Sequence, residues 1–135
     1  MNQQAFSSIN KGDLRVFRKK IDEGLIAMFS VVTGDVNPLH LDDEFARQTL
    51  FKGKIAHGMF TASLISAALS TFPGIVVYLS QTLRFVKPVR PGDEIEALAI
   101  VIEKKEESNE LLLQTLCKNQ KGETVLEGEA RIRIL

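Results

Sequence analysis

From Gly58 to Phe72 no residue carries a charge. The spacing in this stretch predicts a helix from about Gly58 to Thr71. Phe60, Leu64, Ile65, Leu69 and Phe72 supply bulk, while Ala62, Ser63, Ser66, Ala67, Ala68 and Ser70 are small and spread round the circumference. A helix with no charged face is normally buried on most sides. Its apolar block, Met59 to Leu69, is too short and too rich in Ser and Thr to span a bilayer. The rest of the chain must therefore wrap it.

The second half supplies the wrapper. It reads as four strands, Val76–Val86, Glu94–Lys104, Leu111–Asn119 and Thr124–Ile134, with hairpin turns marked by Asn109 and Lys121-Gly122. The last strand alternates. Leu126, Ala130, Ile132 and Ile134 share one face; Glu127, Glu129, Arg131 and Arg133 share the other. That pattern buries one face and wets the other, as in an antiparallel sheet. Upstream, Leu14–Lys20 reads as a first strand. Asp22 is placed to cap a helix running to about Val32, with Leu25, Ile26, Phe29 and Val32 at helical spacing and Gly34 ending it. Thr33–Leu41 is irregular, and a short helix is expected at Asp43–Gln48. With 135 residues, one α+β domain over the whole of 1–135 is expected.

The charge balance removes some function classes. Lys plus Arg and Asp plus Glu both number 17, so no net field draws in nucleic acid or an anionic membrane. The single cysteine, Cys117, lies in an apolar strand and reads as a buried spectator. It has no partner for a disulfide and no zinc-finger spacing, which suits a reducing cytoplasm. The N-terminus lacks a basic start followed by an apolar run, so no signal peptide is expected.

Both histidines, His40 and His57, fall in the irregular first half. Asp35 and His40 are five positions apart, across a turn set by Asn37-Pro38. Pro38 fixes its own φ and biases Asn37 toward extended geometry. A carboxylate and an imidazole that share a water polarise it and move a proton. The spacing alone equally suits a turn-stabilising aspartate and a satisfied loop histidine. Gly58 stands at the predicted N-terminus of the uncharged helix, where free N–H groups and the positive dipole end gather. Such an N–H is suited to a thioester carbonyl oxygen and the enolate formed from it; the plainer reading is a glycine needed for packing. His57 is given no chemical role.

Gly34-Asp35-Val36-Asn37-Pro38-Leu39-His40-Leu41-Asp42 resembles the D-x-N-P-L-H motif of MaoC-like dehydratases and (R)-specific enoyl-CoA hydratases. Ala56-His57-Gly58-Met59, the strand from Val77 to Val89, and Arg90-Pro91-Gly92-Asp93-Glu94 are similar to further stretches of that family, in the same order. Order and spacing resemble the short hydratases that feed polyhydroxyalkanoate synthesis. The resemblance implies a hot-dog fold, a curved antiparallel sheet around a long central helix. It implies that Asp35 and His40 hold a water that adds to C3 of a trans-2-enoyl thioester, that the Gly58 N–H binds the thioester oxygen, and that Asn37 supports the pair. It implies no metal or redox cofactor, coenzyme A being part of the substrate. An acyl carrier protein is a second possible carrier, for which the basic run Arg15, Arg18, Lys19 and Lys20 is a candidate surface.

Gln81 is expected on one strand face with Leu79, Leu83 and Phe85, as a structural hydrogen bonder near the site. Ser66 and Leu69, two and three turns into the helix, stand where an acyl pocket would be lined, and matching positions in similar hydratases shape chain-length choice; plain core packing is the equal alternative. Arg84 and Lys87 are surface charges with a possible reach to coenzyme A phosphates. An open sheet edge predicts a homodimer. Two alternatives stay open. One is a hot-dog acyl-CoA thioesterase, disfavoured because the central helix has no acid; the other is a non-catalytic acyl-thioester-binding module.

Overall fold

The computed structural model of the chain describes residues 2–135; Met1, at the start of the expected domain, lies outside them. Five helices and six strands follow in the order α1 (Gln3–Ser8), β1 (Leu14–Lys20), α2 (Glu23–Thr33), α3 (Pro38–Leu41), α4 (Asp43–Arg47), α5 (Gly58–Leu69), β2 (Val76–Gln81), β3 (Arg84–Phe85), β4 (Glu94–Lys105), β5 (Glu110–Lys118) and β6 (Thr124–Ile134). All pairings are antiparallel, in the order β1-β4-β5-β6-β2, with β3 also on β6. The uncharged helix α5 packs on β1, β4 and β5. This is the hot-dog arrangement.

The alternation read in the last strand sets which face meets α5. Leu126, Ala130, Ile132 and Ile134 are buried, as are Leu111, Leu113, Thr115 and Cys117 on β5. On α5 they meet Phe60, Leu64, Ile65, Ala68 and Leu69. Asp22 caps α2 by accepting from the Leu25 N–H at 2.8 Å, and Gly34 closes it with a φ of 80°. At that left-handed φ a side chain would be strained.

Three expectations need correction, and one element had no sequence signal. Val32 does not join the core with Leu25, Ile26 and Phe29; it is 81% exposed, with Val31 beside it. The irregular Thr33–Leu41 segment contains a helical turn, α3, because Pro38 takes the first position and Asn37 caps it. The N-terminus forms α1, capped by Asn2, and buries Phe6 and Ile9. It is too short to show a helical period.

The third correction concerns Val76–Val86, which is two strands. Leu79 is a bulge residue between Tyr78, opposite Ile132, and Ser80, opposite Arg131. The bulge puts Gln81, opposite Ala130, on the inward face with Tyr78; Phe85, opposite Leu126, shares that face as expected, and Leu79 does not. The chain then leaves the ladder at Thr82-Leu83. There the Thr82 carbonyl crosses Gly128 so closely that a Cβ on Gly128 would stand 1.8 Å from the oxygen.

Candidate active site

The segment between α2 and α5 builds the site. The Asn37 side chain accepts from the Leu39 N–H at 3.0 Å, and Asp35 Oδ1 accepts from the Asn37 N–H at 3.3 Å. Pro38 has no N–H to lose at this first turn. This short turn carries His40, which is 8% exposed.

The tautomer of each imidazole follows from its partners. His40 Nδ1 lies 2.7 Å from the Ile55 carbonyl. A carbonyl only accepts, so Nδ1 carries the proton and the neutral ring keeps its lone pair on Nε2. His57 Nε2 lies 3.1 Å from the Asp35 carbonyl and 3.0 Å from Ser30 Oγ. It therefore carries the proton, and the bare Nδ1 is buried with no partner among the described residues. Burial holds the His57 pKa below the usual 6.5; the bond to the Asp35 carbonyl works against that shift and His40 adds to it. The two rings lie 4.0 Å apart, and Phe29 packs on His57 at 4.9 Å.

One ligand atom each from Asp35, His40 and His57 falls within 4.8 Å of the other two. One water making two hydrogen bonds of about 2.8 Å can bridge atoms no farther apart than that. Asp35 and His40 are thus near enough to share a water. The trio is less suited to a metal ion, since the His57 Nε2 proton is already engaged and its Nδ1 is sealed.

These side chains open on a cleft of about 470 Å³, walled by Phe51, Ile55, Met59, Phe85, Val89 and Leu126 among others. Gly58 lies in its wall. Helix α5 has no side-chain cap. No backbone hydrogen bond among the described residues uses the Gly58 or Met59 N–H. The need for glycine has a further cause: a Cβ at position 58 would stand 2.6 Å from the Phe85 ring.

Asp35, His40 and Gly58 therefore share one cleft, with Asn37 behind the pair. Other expected residues do not join them. Gln81 donates to Thr115 Oγ1 at 2.9 Å and to the Thr82 carbonyl at 2.8 Å, and is absent from the cleft wall. Ser66 and Leu69 are also outside it: Ser66 is exposed and Leu69 is core. At about 1.5 Å per residue they lie more than ten ångströms along the helix from Gly58. Arg84 pairs with Glu127 at 3.2 Å, away from the cleft, whereas Lys87 lies in the cleft wall and pairs with Glu123. Ser30 and Ile55 were not singled out, and His57 was given no chemical role. Ser30 reaches His57 through its hydroxyl, a contact that crosses 27 positions, and Ile55 serves His40 through its carbonyl, which residue type does not signal.

A hot-dog sheet with a carboxylate, an imidazole and an uncapped helix start on one cleft defines a class: hot-dog proteins with these two side chains gathered at the head of the central helix. The family model for the MaoC like domain matches residues 7–121. The chain belongs to the MaoC-like dehydratase family. It is 41% identical over 131 residues to a 3-hydroxybutyryl-CoA dehydratase of Methylorubrum extorquens, covering 96% of this chain and 83% of that one. To an (R)-specific enoyl-CoA hydratase of Rhodospirillum rubrum it is 37% identical, covering 96% and 90%. The unliganded R-hydratase PhaJ1 of Pseudomonas aeruginosa superposes with a TM-score of 0.89 at 40% identity, covering 96% and 84%.

Proposed function

We propose that this chain is a lyase that hydrates trans-2-enoyl-CoA to (R)-3-hydroxyacyl-CoA, reversibly. The observation that carries the reading is the spacing of Asp35 and His40 for one water, beside an uncapped helix start. His40 Nε2 takes a proton from that water while Asp35 holds its other hydrogen. The water oxygen bonds to C3, and the C2=C3 electrons move toward the thioester oxygen. The Gly58 N–H stabilises the resulting enolate oxygen. The pair then returns a proton to C2. Addition of water changes no oxidation state, so these groups supply all the proton transfers without a redox cofactor or metal.

Coenzyme A is the favoured carrier, and Lys87 at the cleft offers its phosphates a cation. The basic run is a weak case for a carrier protein. Arg15 lies over the Phe72 ring at 5.0 Å and Arg18 pairs with Glu96, which leaves Lys19 and Lys20. Among the described residues no helix is long and apolar enough to cross a membrane, and we place the enzyme in the cytoplasm. We also propose a homodimer. Met59, Ser63, Ser66 and Ser70 form an open stripe on α5, and Met28, Val31 and Val32 are exposed on α2. A second copy laid on these faces and on the β2 edge would cover them, and would put Ser66 at the seam of the acyl pocket. A stable, active monomer in sedimentation would refute this.

The deciding assay follows loss of the conjugated enoyl absorbance of crotonyl-CoA, with free thiol measured in parallel and product stereochemistry determined. Hydration to the (R) product without thiol release is expected. Thiol release in place of hydration indicates a thioesterase, and neither indicates a binding module; either result overturns the proposal.

A further inference from the structure

We propose that Arg90 is a positioning residue for His40, acting through the carbonyl of Ile55. Its guanidinium donates to three main-chain carbonyls of one short segment: Phe51 at 2.5 Å, Gly53 at 3.2 Å and Lys54 at 3.4 Å. That segment has no helix or strand from Phe51 to His57, and Lys52 within it takes a left-handed φ of 60°. Its carbonyls therefore lack the partners that regular structure supplies. The next carbonyl along, that of Ile55, accepts from His40 Nδ1. The planar fork of an arginine bonds several acceptors at once, which a lysine ammonium does not match.

Arg90 has a rigid base. The Arg90–Asp93 turn has Pro91 and Gly92 at its centre, with Gly92 at a φ of 96°, as a type II turn requires. Asp93 closes it, its N–H donating to the Arg90 carbonyl at 3.0 Å and its carboxylate accepting from the Arg90 N–H at 2.9 Å. The next residue back, Val89, is buried, and its carbonyl accepts from the Ala56 N–H at 2.7 Å. The turn before β4 and the segment before α5 are thus joined on both sides of Ile55. The opposite side is tied by Lys54, whose ammonium meets Glu23 at 2.5 Å and Asp43 at 3.5 Å. Without the guanidinium the Ile55 peptide keeps only the Ala56 N–H bond to the Val89 carbonyl at 2.7 Å and the Ile55 N–H bond to the Leu39 carbonyl at 3.4 Å, and the segment before it is unclamped. The Ile55 carbonyl is then held less closely against His40 Nδ1, which loosens the acceptor that keeps the proton there.

This inference rests on the role given to His40 above, and the test separates the two. Arg90→Met, Arg90→Lys and His40→Gln are assayed with crotonyl-CoA, and ¹⁵N–¹H spectra of the ring nitrogens report the His40 tautomer. The parent is expected to show protonated Nδ1. Arg90→Met should show a mixture of tautomers and a kcat lower by ~10- to 100-fold, the scale of a misplacement near 1 Å, with KM changed less than about threefold. Should Arg90→Met not fold, Arg90→Lys carries the test, with a smaller fall in kcat and a partly restored tautomer. A folded Arg90 variant with parental kcat and a single parental tautomer overturns the clamp while leaving His40 in place. Parental activity in His40→Gln overturns the catalytic reading, and the clamp with it.

Discussion

Replacing Gly128 by alanine tests whether the crossing at Thr82 holds the sheet in its present shape. The new Cβ would stand 1.8 Å from the Thr82 oxygen and 2.7 Å from its carbon. Ordinary contact needs well over 3 Å, and the obstacle is main chain, so Thr82 has to move by more than an ångström. Three hydrogen bonds depend on its place. Its N–H donates to the Glu129 carbonyl at 2.8 Å, its hydroxyl accepts from the Glu129 N–H at 2.9 Å, and its carbonyl accepts from Gln81 at 2.8 Å. Losing two of them costs about 1–3 kcal/mol, and overpacking adds roughly 1–3 kcal/mol. A destabilisation of about 2–6 kcal/mol is expected, or a Tm lower by roughly 8–24 °C for a domain of this size. Thermal and urea unfolding at one fixed protein concentration measure it, since association shifts apparent stability. A Tm within about 2 °C of the parent would refute the reasoning.

The remaining predictions concern the cleft. Asp35→Asn and His40→Gln should each cut crotonyl-CoA hydration by about two or more powers of ten while leaving the fold intact by circular dichroism; near-normal rates in either would remove that residue from the mechanism. Gly58→Ala should lower kcat/KM by roughly tenfold, because the methyl meets the Phe85 ring at 2.6 Å near the point where the oxyanion is to bind. Adding Phe85→Ala should restore part of the loss, and no recovery would count against the collision. His57 should make stability depend on pH. Burial lowers its folded pKa below the 6.5 of the unfolded chain, so below 6.5 the unfolded state binds more protons. Its contribution is complete above about pH 6.5 and is lost as the pH falls through the lower folded value. The parent should show this loss and His57→Phe should not; identical slopes in urea titrations across pH 5–7 would exclude it.

Much of this molecule was legible from pattern. An uncharged helix and an alternating final strand are consequences of burial, and burial acts on every residue of an element, so the signal accumulates. The Asp35, Asn37-Pro38 and His40 turn was readable because proline and an Asx cap constrain the backbone locally. Legibility failed where one contact overrides a run. The strand expected over Val76–Val86 is interrupted by a bulge at Leu79 and by a glycine more than forty positions away on β6. Leu79 was consequently placed on the face of Gln81, which Phe85 does share. Ser66 was expected in the acyl pocket, yet in a single chain it points outward, and Val32 likewise continues a helical stripe with nothing to cover it. Arg90 gave no sign, because its partners are carbonyls, which every residue carries.

The early departure of the chain from β6 has a price in cohesion and a return in access. A sequence selected only for a well-zipped sheet would run residues 76–86 as one uninterrupted ladder. Here Phe85 and Val86 instead stand half-exposed in the cleft wall at the head of α5. The opening that admits a ligand is thus written into the pairing of strands rather than into a movable lid. A variant that regularised this stretch should be harder to unfold and slower to bind, a trade visible only when melting and turnover are measured on the same sample.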